Sequence, residues 1–541
     1  MIGVIGTEQD LEVLGEFFEL FKTPWERYEQ GNQYDVLIIN GETEWPHTPV
    51  ELLIHYSSVR AQADTHGRTQ KEAVLLYKGR RIPLYGECLA FPETQSTFLT
   101  VEKADGAVGC KNVVDGKTRC RIGYDLVREI RILLTTGQPV EHAISPTLEL
   151  HIAILRDLLV ESGVPLVEIP PIPVGYTFIA CLTHDIDHPS IRLLPWDHTL
   201  LGFVYRAIIR SFIQVLKGRM SFRHLVSNYL AVAKLPLVRL GYARDFWYDF
   251  DRYQQLEEGA QSTYFALPFK HNPGLTANGI APRIRASSYG AADIADRLQA
   301  LVASGQEVGL HGIDAWIDSA KGQTERQQIG AVTGATDIGV RMHWLYFNEH
   351  SPVTLEKAGF SYDSTIGYNQ TIGYRAGTCQ VYKPLEANHL LELPLHVMDT
   401  ALFYPIHLNL TPHEAERRVR DLFDDACHSG GVITFNWHDR SRAPERLWGE
   451  FYGSQIREVK QRGAWCATAC QTVSWFRSRR SIVFERSGQN GKAVRIRGAH
   501  PVSESIPGLR VRVYNRKTAS REAVLRYVES TVVDSLTVGE G

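Results

Sequence analysis

Tyr176-Thr-Phe-Ile-Ala-Cys-Leu-Thr-His-Asp-Ile-Asp-His188 decides how the rest of the chain reads. Residues 178–182 are apolar, β-branched or aromatic, and Pro173 and Gly175 precede them, which predicts a buried strand. The strand runs into His184, Asp185, Asp187 and His188. Asp185 and Asp187 are two apart, so an extended backbone points both to one side. Paired carboxylates repel unless a cation or a shared proton compensates them. A capping role would use one aspartate and leave His184 and His188 without purpose.

Around that stretch the chain repeats a unit: helix, glycine, strand, polar residue at the strand's end. Helices are expected at 245–258, 291–304, 353–358 and 411–428, closed by Gly259, Gly305, Gly359 and Gly430-Gly431. Strands are expected at 262–267, 307–311, 360–363 and 432–439. Pro412 stands at the first turn of the last helix and Glu414 completes a capping box there. Repeated units of this kind predict a parallel sheet, with functional groups gathered at the strands' carboxyl ends. By alternation, Glu307, Gly309 and His311 share a face, as do Arg341 and His343. So do Glu392, Pro394 and His396, and Thr434, Asn436 and His438. Four histidines and an aspartate pair at one end of successive strands predict a shared metal-dependent site.

These stretches resemble the motifs of the polysaccharide deacetylases, carbohydrate esterase family 4. Thr183-His-Asp-Ile-Asp187 resembles the first motif, Glu307-Val-Gly-Leu-His-Gly312 the second, and Gly339-Val-Arg-Met-His-Trp344 the third. Phe360-Ser-Tyr-Asp-Ser-Thr365 falls where the family often has tyrosine–aspartate–serine, and Ile433-Thr-Phe-Asn-Trp-His-Asp439 resembles the last motif. The resemblance covers about 172–478 in the family's order. It implies an irregular (β/α)7 barrel holding one divalent metal, most often zinc. It also implies Asp185 as general base, Arg341 as its charge partner, His438 as general acid, and Asp187 and His311 as metal ligands. Where the family supplies a further histidine, this chain has Ala315, so a ligand is missing. A catalytic zinc takes three protein ligands and keeps one position open. His343 is the expected replacement, with Asp314, His188 and His396 as alternatives. Asp399 is a candidate carboxylate for keeping His438 charged.

Outside 172–478 the residues carry little chemistry. Residues 1–171 read as an α/β domain: strands at 2–5 and 36–40, and helices at 11–21, 124–135 and 146–162, the last capped by Ser145. Residues 479–541 read as a β-rich appendage, with basic outer positions in Leu509-Arg-Val-Arg-Val-Tyr514. An insertion at 191–241 holds eight Lys or Arg and one acid, Asp197, among many apolar residues. It reads as a helical cap, as a lid over an anionic substrate, or as a helix resting on an anionic membrane.

The chain has 541 residues and a net charge of -3, which points away from nucleic acid. Its eight cysteines lack zinc-ribbon spacing and read as reduced thiols, with Cys466 and Cys470 on one helix face. Neither a signal peptide nor a membrane-spanning run is expected, so the expected location is the cytoplasm, with peripheral contact at the inner membrane face as one reading. The expected function is metal-dependent removal of an acetyl or other acyl group from an N-acylated sugar or glycan precursor, lipid- or nucleotide-linked. The alternatives are a C–N hydrolase acting on a small non-sugar amide, and a degenerate glycan-binding or scaffold barrel.

Overall fold

A computed structural model describes residues 1–541 apart from 42–48, 62–63, 65–66, 104–105, 196–197, 219, 248–249, 447, 488–492, 499–505, 516–517, 526–530, 535–536 and 539–541. Asp197, the one acid of the insertion, thus lies outside the described residues.

The strand of the opening stretch is Ile179–Ile186, longer than predicted and buried throughout. It lies inside a curled parallel sheet. Thr263–Ala266, Glu307–Gly312, Val340–Met342 and Tyr362–Asp363 follow on one side, and Val432–Asn436 lies on the other. The two outer strands, Leu391–Glu392 and Val397–Met398, belong to one short segment. Its start pairs with Tyr362–Asp363 and its end with Val432–Asn436. The chain between them bonds both sides in turn, Leu393 N–H to the Asp363 carbonyl and His396 N–H to that of Thr434. One segment therefore joins the two edges of the sheet, which a flat sheet cannot do. Trp465–Ala467 adds a further parallel pairing to Ile179–Ile186.

The glycine stops are present as left-handed residues at Gly259, Gly305 and Gly359. Thr411 and Glu414 form the predicted capping box on Pro412–Ser429. The helix expected at 245–258 is shorter, Phe250–Glu257. Asp245 instead accepts from the Ser190 hydroxyl at 2.6 Å and the Trp247 N–H at 2.9 Å. Helix Thr147–Glu161 has Pro146 rather than Ser145 at its N-cap position, with no side-chain cap bond. Cys466 lies in a strand and Cys470 in the helix Ala469–Arg480, so they do not share a helix face. All eight cysteines are free.

Residues before 171 build a nine-stranded mixed sheet. Trp25–Arg27, Ile2–Ile5, Val36–Asn40, Leu52–Tyr56 and Lys117–Ile122 run parallel, and antiparallel strands continue from there. Its core includes Ile366, Ala376 and Tyr382 from the central part. The buried Arg479 joins the two, donating to the carbonyls of Ile169, Glu19 and Leu20. The C-terminal strands form small antiparallel sheets, and Leu509–Asn515 pairs with Leu166–Glu168.

The insertion is a helical pair. His198–Tyr205, a π-turn at Arg206–Arg210 and Ser211–Leu216 make the first arm; Phe222–Arg239 makes the second. Against the sequence expectation, Thr199–Leu216 is long and apolar enough to cross a membrane, at mean hydropathy 1.4, and 28 % of it is buried. Its only charged residues are Arg206 and Arg210, and with Ser211 and Gln214 they break the run that a search for unbroken apolar sequence looks for. Leu200, Phe203, Ala207, Leu235 and Trp247 form the seam between the arms and the sheet's end.

Candidate metal centre and active site

Three side chains from the carboxyl ends of three strands of the sheet converge. Asp187, His311 and His343 place one ligand atom each within 4.8 Å of one another. His311 Nε2 is 3.4 Å from Asp187 Oδ1, and His343 Nε2 is 3.7 Å from the same oxygen. Donors about 2.0–2.1 Å from a tetrahedral ion stand roughly 3.4 Å apart, so the spacing suits one small divalent cation. Asp187 Oδ1 is buried and has no hydrogen-bond donor. The residues present therefore fit a metal: two imidazoles, one carboxylate and an orphaned oxygen between them.

The local backbone explains how each ligand is aimed. His311 ends the strand Glu307–Gly312, and its Nδ1–H donates to the Arg341 carbonyl at 2.9 Å, which turns a lone pair on Nε2 towards Asp187. That close approach relies on Gly312, where an added Cβ would stand 2.5 Å from Met342 Sδ. His343 is not on a strand, as alternation with Arg341 suggested. The strand stops at Met342, and Trp344 and Leu345 follow in the left-handed region at φ 65° and 54°. Such residues are costly and persist where surrounding structure holds them. Here buried Arg285 donates to the carbonyls of His343 (2.9 Å) and Ile313 (3.1 Å), with its guanidinium 4.3 Å from the Tyr346 ring centroid. Burial, with Arg285 and the protonated His438 beside it, drives the His343 imidazole well below its ordinary pKa despite Asp187, so it is neutral. Burial pushes the Asp187 carboxyl up, and the imidazoles of His311, His343 and His438 together bring it well below the usual range.

Asp185 sits beside this cluster and is held rigidly. Arg341 donates to Oδ1 at 3.1 Å and Asn436 to Oδ2 at 2.6 Å. Arg341 is fully buried and also donates to Thr183 Oγ1, the Ser364 carbonyl and Ser364 Oγ. Across the cleft, His438 Nδ1–H donates to Asp399 Oδ1 at 2.6 Å, and its Nε2 lies 3.8 Å from Asp187 Oδ2. The Ser441 hydroxyl and the His438 backbone N–H donate to the other Asp399 oxygen. Burial pushes the His438 imidazole down, but Asp399, with Asp187 and Asp185 beyond it, lifts it to about 10.

The structure thus brings Asp185, Asp187, His311, Arg341, His343 and His438 into one place, and Asp399 with them. The alternatives for the third ligand go elsewhere. Asp314 is engaged by Lys321 (2.9 Å) and the Leu275 N–H (2.7 Å). His396, expected at the site's strand ends, has both nitrogens engaged: Nε2 donates to the Thr378 carbonyl at 3.2 Å and Nδ1 accepts from the Thr434 N–H at 3.2 Å. His188 lines the cleft outside the cluster, with its Nδ1 buried and unpartnered. His184 is fixed between the Trp437 carbonyl and Glu257, both at 2.8 Å. Glu307 anchors Tyr362, Thr263 and the Cys470 N–H at the far end of its strand.

Sequence reading missed the support of Asn436 for Asp185, although its place two residues before His438 on one strand face was a signal. It also missed Arg206, Tyr404, Arg440 and Arg446, which line a cleft of about 580 Å³ together with the metal-cluster residues. These four lie on helices and loops, where spacing carries no such signal.

No protein-family model and no curated protein matches the chain. Among solved structures it is similar to a protein assigned as a polysaccharide deacetylase from Mycobacterium smegmatis, at 17% identity and TM-score 0.33, covering 57% of this chain and 95% of that one. It is similar to Agd3, a carbohydrate deacetylase, at 8% identity and TM-score 0.34, covering 94% and 92%. It is also similar to the PuuE allantoinase, at 15% identity and TM-score 0.35, covering 56% and 91%. Likeness at these values assigns no role to a side chain; the chemistry is read from the geometry. The solved structures that resemble this chain include polysaccharide deacetylases and other CE4-family proteins.

Proposed function

We propose that the protein is a metal-dependent amide hydrolase that removes an acetyl or similar acyl group from an N-acylated sugar, on an irregular (β/α)7 barrel. One observation supports this above all. A ligand triad of Asp187, His311 and His343 stands between a carboxylate held by Arg341 and an imidazole held by Asp399. That is a candidate metal site flanked by a base and an acid, the set of groups that metal-dependent amide hydrolysis uses.

A divalent ion, zinc by its donor set, would supply Lewis acidity at Asp187, His311 and His343, acidifying water and polarising a carbonyl. Asp185 takes the proton of the attacking water. Its two bonds, from Arg341 and Asn436, fix the orientation of the carboxylate. His438 is the acid. Asp399 holds its Nδ1–H, so Nε2 faces the cleft and delivers a proton to the departing amine nitrogen. Without that proton the amine is a poor leaving group. The acyl group leaves as a carboxylate and the sugar as an amine.

The test is acetate release from N-acetylglucosamine oligomers by zinc-loaded protein. Release that stops in Asp185→Asn while zinc stays bound supports the reading. Release from small non-sugar amides alone would replace the substrate class. Absence of any amide hydrolysis by zinc-loaded protein would leave a binding scaffold.

A further inference from the structure

The same cleft carries a cluster of cations that amide hydrolysis does not use. Arg206 comes from the π-turn of the insertion, Arg440 and Arg446 from the segment after His438. Arg446 is 7 % exposed; its Nη2 donates to the Tyr404 hydroxyl at 2.5 Å, and its Nε has no acceptor. Nε and Nη2 of Arg206 and Nη1 of Arg440 are likewise buried without an acceptor. The groups facing them are few. Glu445 is buried among the three, with both oxygens unpartnered, and Asp439 is occupied by the His188 and Arg440 backbone N–H groups. Burial first, then Arg446 and Arg440, lower the Arg206 guanidinium, and Glu445 opposes them.

Three guanidiniums against the carboxylates of Glu445 and Asp439 leave a net positive pocket with unsatisfied, directed donors. Buried cations without acceptors are costly, so the arrangement is explained by a ligand that provides them. Guanidinium forks match phosphate oxygens two at a time, and three forks exceed what the two oxygens of a carboxylate accept. We infer that Arg206, Arg440 and Arg446 form a phosphate subsite beside the candidate metal centre, which selects an acylated sugar bearing a phosphate or diphosphate ester. The substrate part of this inference rests on the proposed hydrolase reading; the subsite itself does not.

Titration calorimetry of the full chain with inorganic pyrophosphate, after EDTA treatment so that no metal competes, tests the subsite. Binding that weakens at least tenfold in both Arg206→Gln and Arg446→Gln is expected. No binding by the unaltered chain, or binding by both variants as tight as that of the unaltered chain, overturns it whether or not the protein hydrolyses amides. Pyrophosphate binding without acyl release from any sugar would keep the subsite and sink the hydrolase. With zinc restored, kcat/KM should be at least tenfold higher for N-acetylglucosamine 1-phosphate than for the plain sugar; equal values would overturn the substrate class. UDP-N-acetylglucosamine in solution and a polyprenyl-diphosphate N-acetylglucosamine in vesicles then distinguish a nucleotide from a lipid carrier.

A separate observation concerns the outside of the insertion. The helix that brings Arg206 to the cleft exposes Leu201, Tyr205, Ile209, Phe212 and Leu216, the last 72 % exposed. The second arm exposes Phe222, Tyr229, Leu230, Leu237 and Leu240. Trp344, Ile284 and Ile406, exposed and lining the cleft, extend this apolar surface to its mouth. Residues 198–241 contain no Asp or Glu, and Lys217, Arg223 and Lys234 stand exposed among the apolar side chains. Apolar exposure with unopposed positive charge is the chemistry of an anionic lipid surface. We infer that this face rests on such a surface, with the cleft opening towards the headgroups. Co-sedimentation with phosphatidylglycerol vesicles is expected, with little on phosphatidylcholine alone. A Leu201→Ser/Phe212→Ser/Leu216→Ser variant should lose at least fivefold. No co-sedimentation of the unaltered chain, or a dimer in solution that this variant dissolves without changing vesicle binding, would overturn it.

Discussion

His343 and His396 look alike in the sequence, each following a short strand of the same sheet, yet they end in different chemistry. Beyond Met342 the backbone turns through two left-handed residues, and the His343 imidazole meets Asp187 and His311. Beyond Glu392 the chain passes from one sheet edge to the other, and His396 spends both nitrogens on backbone groups. A strand-end histidine is placed to serve as a ligand when one nitrogen is left free and a carboxylate faces it. The same accounting separates Asp187, with an orphaned oxygen, from Asp314, whose oxygens are taken.

The sharpest way to strain this contrast is through the groups around the triad. Asp185→Asn should lower turnover by about 10²–10⁴-fold, the usual worth of a general base, with zinc still bound by elemental analysis. Arg341→Met should cost about 3–5 kcal/mol of stability in denaturant titration, because it leaves Asp185 buried beside an apolar side chain. It should lower turnover as well. Asp399→Asn should reduce kcat by about 10²-fold with KM little changed, since it frees the His438 ring without touching a ligand.

A further effect lies on the other side of the comparison. His396 is buried, and burial lowers its pKa from 6.5 to about 4. A group depressed in the folded state adds stability above its unfolded pKa and loses it as pH falls towards the folded one. The advantage of the unaltered chain over His396→Gln should therefore shrink by about 3 kcal/mol between pH 7 and pH 4. Chemical denaturation at the two pH values measures it. Zinc content should be unchanged in that variant.

The sequence made the parallel sheet legible because each unit was punctuated by a glycine that had to be left-handed, as at Gly259, Gly305 and Gly359. Asp185, Asp187 and His311 were legible because they end strands, where alternation fixes direction. His343 was named through the missing partner at Ala315 and not through its geometry, since nothing in Met342-His-Trp-Leu345 announces two left-handed residues. His396 was misplaced because alternation gives a face and not the partners waiting there. The basic insertion was readable as a lid over an anionic substrate, but that Arg206 is the residue it brings to the cleft depends on how it folds back over the sheet, and Arg440 and Arg446 were not singled out.

The most direct measurement is zinc stoichiometry and affinity for the unaltered chain, His343→Ala and His396→Ala. One tightly bound zinc per chain is predicted for the unaltered protein and for His396→Ala, and binding at least tenfold weaker for His343→Ala. If His343→Ala binds zinc as well as the unaltered chain, or if none of the three binds it, the metal centre at Asp187, His311 and His343 is contradicted.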